Sequence, residues 1–276
     1  MHAGDAVKQL RGRVAVVTGA GSGIGRATSI ALARQGCRVA VVDINRSAAE
    51  DTARLVRAHG GGVSVHVVDV RDAEAVTALA ADVAAEHGSC HILVNNAGVT
   101  SAGRFEQETM DDLRWIVDTN VWGVVHGTRA FLPMLLAADE AHLVNLSSMV
   151  GLLGLPHNTS YALTKGAVRS FTEALRSELI ASNVGVTAVF PGSIRTNITQ
   201  TARGSHAGLL ARMASHRLSG LALRSPDRVA ERIVRAIVTN RARVVIGADA
   251  RALDVAARLF PGRSGWVGRL TSRLVR

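Results

Sequence analysis

A doubly wound α/β domain built on a parallel sheet follows from three features of this 276-residue chain. Short apolar runs alternate along most of its length with longer segments of helical period. Those runs are β-branched and nearly continuous, the pattern of strands buried on both faces. The first run ends in a glycine-rich turn that opens directly into a helix, as a strand-turn-helix unit of such a sheet does.

In chain order, residues 14–18 form the first strand and 25–35 the helix after the glycine turn. Strand 38–42, helix 47–59, strand 63–69, helix 73–87 and strand 92–95 complete the first half. A long helical pattern over 109–137, strand 142–146, helix 160–181 and strand 184–190 make the second half. Residues 192–224 have weaker periodicity and suit a lid. At Ser225-Pro226-Asp227 a serine cap followed by proline at the first position starts another helix, and 244–246 is a last strand. Residues 1–248 then form one dinucleotide-binding and catalytic domain, with 249–276 as a basic amphipathic extension. In such sheets ligands bind at the carboxyl ends of the strands.

Composition narrows the function. With 47% hydrophobic and 20% charged residues the chain can bury a large core and is too apolar for disorder. Cys37 and Cys90 have no metal-type or redox-type spacing and read as small buried hydrophobes in a reducing compartment. The ten histidines are scattered, so no metal is expected. Residues 1–13 lack the apolar segment of a secretory signal, and no apolar run is long enough to span a membrane, which points to the cytoplasm. The net charge of +10 is local, because fifteen arginines face four acids between Arg203 and Arg276. No basic-aromatic platform accompanies them, so nucleic acid is not an expected partner.

The turn Thr18-Gly19-Ala20-Gly21-Ser22-Gly23-Ile24-Gly25 lets backbone approach a pyrophosphate at a helix N-terminus, where unpaired N–H groups favour an anion. Gly19, Ser22, Gly23, Ile24 and Gly25 are therefore cofactor-binding candidates. Asp43 ends the second strand eighteen residues after Gly25 and suits the ribose hydroxyls of an adenosine. A carboxylate there disfavours a 2′-phosphate, so NAD is expected over NADP, although Arg46 keeps NADP open. Asp43 could instead cap the next helix.

Tyr161 is the chain's one tyrosine, and Lys165, one of two lysines, follows it by a single helical turn. Phenylalanine cannot replace an ionisable hydroxyl, nor arginine a compact ammonium, so the pair reads as chemistry.

Together with Asn95-Asn96-Ala97-Gly98, Asn120, Ser147-Ser148 and Pro191-Gly192, these motifs resemble the compact branch of the short-chain dehydrogenase/reductase family over residues 10–248. The resemblance implies a hydride-transferring oxidoreductase with Asn120, Ser148, Tyr161 and Lys165 as its catalytic set. It further implies Asp69 and Val70 at the adenine, Asn96 beside the ribose, and Ile194 and Thr196 at the nicotinamide carboxamide. Ser148 rather than Ser147 holds the substrate oxygen, Asn120 holds a helix kink and a water, and a homotetramer or homodimer forms through the helices at 109–137 and 160–181. An NADPH-dependent ketoreductase and a non-catalytic dinucleotide sensor remain alternatives.

A phenol of ordinary pKa about 10 is a weak base at neutral pH. An ammonium about 5 Å away at a dielectric near 20 would favour the phenolate by about 3 kcal/mol, or about two pKa units. Lys165 is thus expected to lower the Tyr161 pKa, making the phenol base for oxidation and acid for reduction. Residues 149–157 are almost wholly apolar and link Ser148 to the Tyr161 helix, so they line a pocket for a hydrophobic alcohol or ketone, or else pack in the core. In the extension, 249–260 and 265–276 are amphipathic and suit either an anionic membrane surface or the body of the protein.

Overall fold

The structure is a computed structural model and describes residues 7, 9–194, 198, 201–208, 225–260, 262 and 265. Seven strands form one wholly parallel sheet: β1 (Val14–Thr18), β2 (Arg38–Asp43), β3 (Val63–Val67), β4 (Ile92–Asn95), β5 (Ala141–Leu146), β6 (Val184–Pro191) and β7 (Arg243–Ile246). Their order is β3-β2-β1-β4-β5-β6-β7, so the winding reverses between β1 and β4. Crevices at the carboxyl ends open at such a reversal.

Helices α1 (Gly23–Arg34), α2 (Arg46–Ala58), α3 (Ala73–His87), α4 (Met110–Val117), α5 (Gly123–Ala137), α6 (Thr159–Glu178), α7 (Pro226–Val238) and α8 (Ala248–Leu259) surround the sheet. Two apolar cores sandwich it, one holding Val17, Leu32, Val41, Val94 and Ile233, the other Val16, Val42, Leu93, Phe131 and Leu143. Neighbouring residues of one strand thus point to opposite cores, which is why the strands are apolar without alternation. Cys37 and Cys90 are buried and free, and burial pushes both thiols up to about 12.

Most boundaries fall within one or two residues of the sequence pattern, and three differ in a way that bears on the site or its supports. The third strand stops at Val67 rather than Asp69: the Val68 N–H makes the last ladder bond, to the Asp43 carbonyl (3.2 Å), and the chain then turns at Asp69, whose side chain accepts from the Arg71 N–H (3.0 Å). The helix expected over 109–137 is two helices joined by a π-helical segment, Asp118–Trp122, which contains Asn120. Helix α6 ends at Glu178, before a short turn into β6.

The first part of the extension forms α8, which packs against β7 and the turn after Ser148, with Ala250 fully buried. Of residues 265–276, all but Gly265 lie outside the described residues. Among the described residues no helix is long and apolar enough to cross a membrane.

Candidate active site

A cleft of about 660 Å³ runs from the glycine turn past Asp43, Asp69 and Val70 to Ser148, Tyr161 and Lys165. It lies where the sheet order reverses, and Gly19, Ser22, Gly23, Ile24, Asn96 and Ile194 also border it.

At one end the glycine turn is braced from behind. Arg26 hydrogen-bonds the Gly21 carbonyl and the Thr52 hydroxyl, and Thr52 donates to the Ala20 carbonyl (2.9 Å). Asn96 Nδ2 donates to the carbonyls of Thr18 (2.8 Å) and Gly19 (3.1 Å). A Cβ on Gly25 would run into the Gly19 carbonyl, and one on Gly19, at φ +62°, would sit 2.7 Å from the Ala97 Cα. The α1 N-terminus is left uncapped, since Ser22 makes no side-chain cap and the first turn has no acid. Unpaired N–H groups over a closely packed turn are what a pyrophosphate requires.

Asp43 points back to this turn. Its Oδ2 accepts from the Gly21 N–H (2.8 Å) and its Oδ1 from the Asn45 N–H (2.9 Å). The α2 cap is Asn45, whose side chain accepts from the Ala48 N–H (3.0 Å), so Asp43 is not the capping residue. Arg46 is exposed and pairs with Glu50 at 3.9 Å. The Asp69 carboxylate grips Arg71, with Nε at 3.0 and 2.9 Å, and this hydrogen bonding holds it below the usual carboxylate range.

At the other end, β5 delivers two adjacent serines with different duties. Ser147 Oγ donates to the Lys165 carbonyl (2.7 Å) inside α6, whereas the Ser148 Oγ accepts from the Val150 N–H (3.4 Å) and its hydroxyl acts on the Tyr161 phenol, favouring the phenolate. Both serines border the cleft, but the Ser147 hydroxyl is already committed to the α6 backbone. Lys165 is 3% exposed, donates from Nζ to the Leu146 carbonyl (2.9 Å), and lies 5.8 Å from the Tyr161 ring centroid. A Cβ on Gly98 would lie 3.1 Å from Asn120 Oδ1 and in ordinary contact with Lys165 Nζ at 3.4 Å. Asn120 is fully buried, accepting from the Val99 N–H (2.8 Å) and donating to the Val99 carbonyl (2.9 Å) and the Thr164 hydroxyl (3.0 Å). It thereby ties the loop after β4 to the π segment and α6.

The expected depression of the phenol pKa is not found. Burial dominates and pushes Tyr161 up to about 12, with the Ser148 hydrogen bond opposing it, and burial also pushes Lys165 down to about 8. Desolvation of the phenolate, which spacing along the helix does not reveal, sets the direction of the shift.

The apolar segment 149–157 splits between its two readings. Met149, Val150 and Leu155 border the cleft, while Leu152 packs on Ala188 and Phe190. Thr196 lies outside the described residues, as does most of 192–224. Two contributors carried no sequence signal. Asp249, the second residue of α8, accepts from the Ser193 N–H (2.7 Å) and fixes the chain beside Gly192 and Ile194; Trp115 of α4 borders the cleft. Nothing in their spacing marks either, because each meets the site through tertiary packing alone.

A glycine-cradled anion site, a strand-end carboxylate and a Ser-Tyr-Lys cluster in one cleft define an oxidoreductase of the dinucleotide-dependent kind. The chain belongs to the short-chain dehydrogenase/reductase family: residues 13–206 match the family described as short chain dehydrogenase. SadH of Mycobacterium tuberculosis (strain H37Rv), whose name calls it an oxidoreductase, is 40% identical over 259 residues, covering 92% of this chain and 93% of SadH. A short-chain dehydrogenase/reductase from Burkholderia phymatum, solved in complex with NAD, has a TM-score of 0.84 at 31% identity, covering 91% of this chain and 94% of its own. A short chain dehydrogenase from Mycobacterium paratuberculosis, solved bound to NAD, has a TM-score of 0.78 at 25% identity over 88% and 99% of the two chains.

Proposed function

We propose that this enzyme is an NAD-dependent dehydrogenase/reductase interconverting apolar secondary alcohols and ketones, with Tyr161 moving the hydroxyl proton. The observation that carries this reading is that Ser148, Tyr161 and a buried Lys165, its Nζ 5.8 Å from the Tyr161 ring centroid, line the same cleft as the glycine turn and Asp43. The residues fit the cofactor. The uncapped α1 N-terminus and the space kept by Gly19 and Gly25 suit a pyrophosphate, and Asp43 suits an adenosine ribose carrying no 2′-phosphate. Two related structures solved with NAD support the same choice.

When bound, the dinucleotide supplies the hydride donor or acceptor and, oxidised, a positive ring. The rest is the work of the chain. Ser148 donates to the substrate oxygen and steadies the charge that develops there. Tyr161, a protonated phenol at neutral pH with its pKa near 12, is ready as the acid that returns a proton to a carbonyl oxygen. For oxidation it must give that proton up, and Lys165, at about 8 and still mostly charged at pH 7, is the cation placed to favour the phenolate. Asn120 and Asn96 set the loop after β4, and Ile194, which borders the cleft, serves the carboxamide side. Exposed Trp122, Leu136 and Leu163 on the π segment, α5 and α6 support a homodimer or homotetramer.

The test is a panel of hydrophobic secondary alcohols with NAD⁺ or NADP⁺, read by the absorbance of the reduced cofactor. Turnover with NAD⁺ and an apolar alcohol is expected. Turnover confined to NADP⁺ would favour the ketoreductase alternative, and bound NADH with no turnover on any alcohol would favour a sensor.

A further inference from the structure

Trp115 and Tyr161 are the two aromatic side chains in the described wall of the cleft, and the chain contains just three tryptophans. The Trp115 ring is held in place. The Arg203 guanidinium lies 4.2 Å from its centroid, and Arg203 Nη1 donates to Asp112 Oδ1 (3.2 Å), one helical turn before Trp115. Arg203 is fixed in turn by its backbone. Ser101 and Arg203 form a parallel bridge in which the Ala102 N–H donates to the Arg203 carbonyl (2.9 Å) and the Arg203 N–H to the Thr100 carbonyl (3.2 Å). The His206 N–H donates to the Ala102 carbonyl (2.9 Å), and the Gly103 N–H to the His157 carbonyl (2.9 Å). Glycine permits this approach: a Cβ on Gly204, at φ +99°, would lie 2.5 Å from the Ala102 oxygen. Segments from the loop after β4, from α4, from 149–157 and from 201–206 are thereby clasped together around one indole.

Besides the Arg203–Asp112 pair at the ring and the Tyr161–Lys165 pair, the described cleft lining includes the uncharged side chains of Thr100, Met149, Leu155, Asn158, Ile198 and Thr201. The cleft's acids, Asp43 and Asp69, belong to the end that holds the glycine turn. An indole with a guanidinium on one face has its negative quadrupole engaged, so a second cation is unwelcome while a neutral flat ring can still stack or meet it edge-on. A ring already ordered by its neighbours loses little rotamer freedom on binding.

We propose that Trp115, positioned by Arg203 and Asp112, determines specificity in this pocket and selects uncharged secondary alcohols and ketones that carry a flat ring over straight-chain ones. The proposal deepens the alcohol–ketone reading above and rests on it for the reacting group.

The test uses the full chain with NAD⁺ bound, a state in which a ketone cannot react, in wild type, Trp115→Leu, Trp115→Phe and Arg203→Gln. Calorimetric affinities are measured for 2-acetylnaphthalene and 2-decanone, and turnover with NAD⁺ for the two corresponding alcohols. Wild type should bind the ring ketone more tightly. In Trp115→Leu that advantage should shrink roughly fivefold, the size of one aromatic pair, with 2-decanone changed by less than about twofold. Trp115→Phe should keep most of the advantage, and Arg203→Gln should fall between. No ring advantage in wild type, or equal losses for both ketones in Trp115→Leu, would overturn the proposal. A ring preference in binding with neither alcohol turned over would leave the Trp115 wall standing and overturn the alcohol–ketone chemistry; turnover without ring preference would do the reverse.

Discussion

Replacing Lys165 by methionine isolates the cost of holding an ammonium beneath the phenol. Burial pushes Lys165 from 10.5 down to about 8. A lysine whose pKa is depressed on folding is charged more readily in the unfolded chain, so the unfolded state binds more protons between those values and stability rises with pH across that window. The burden on the folded state is largest at neutral pH and shrinks as pH rises from about 8 toward 10.5. Between pH 7 and pH 9.5 the gain from this one group is about 2 kcal/mol. Wild type alone would hide it. The Cys37 and Cys90 thiols, raised from 9.0 to about 12, act in the opposite sense, because above pH 9 the unfolded chain sheds those protons first. Each removes about 1 kcal/mol of stability by pH 9.5, so the raw profile is nearly flat. Both thiols are present in the variant and cancel in the difference. Lys165→Met also leaves the Leu146 carbonyl without its donor, an offset of about 1–3 kcal/mol that does not vary with pH. Urea unfolding of both proteins at pH 7, 8, 9 and 9.5 reads the quantity directly. The wild-type stability minus that of Lys165→Met should rise by about 2 kcal/mol over this range. A constant difference would show that the ammonium is not desolvated in the folded chain.

Two further substitutions separate neighbours that look alike in sequence. Ser147→Ala should lower stability by about 1 kcal/mol in urea while turnover persists, because its hydroxyl serves the α6 backbone. Ser148→Ala should keep the fold and lower kcat by about 10²–10³, the effect of losing one donor to a developing oxyanion, and equal kinetic effects in the two would contradict the division. Asp43→Ser should narrow the preference for NAD over NADP by about tenfold, equivalent to about 1.4 kcal/mol, in cofactor titrations followed by nicotinamide fluorescence. An unchanged ratio would remove Asp43 from ribose recognition.

The sheet was legible because burial on both faces leaves a simple mark: near-continuous Val, Ile and Leu with glycine and polar residues between. The glycine turn, Asp43 and the Tyr161–Lys165 interval were legible for a related reason, since each works through local backbone geometry or one helical turn. The break at Asp118–Trp122 was not visible as a period, because a π segment adds a residue to a helix without changing its composition. Asp249 and Arg203 reach the cleft region from segments far away in sequence, and only tertiary packing brings them to Ser193 and Trp115. The direction of the Tyr161 shift needed the folded structure as well, because charge proximity is readable from spacing while desolvation is not.

Tyr161→Phe bears most immediately on the proton transfer proposed here. The variant removes one oxygen from a half-buried ring and leaves the glycine turn, Asp43 and Lys165 in place. With the best alcohol from the panel, kcat should fall by about 10²–10⁴, the range of general acid–base catalysis, while the NADH affinity read by fluorescence stays within about threefold of wild type. Near-normal turnover in Tyr161→Phe with cofactor bound would mean that another group carries the proton.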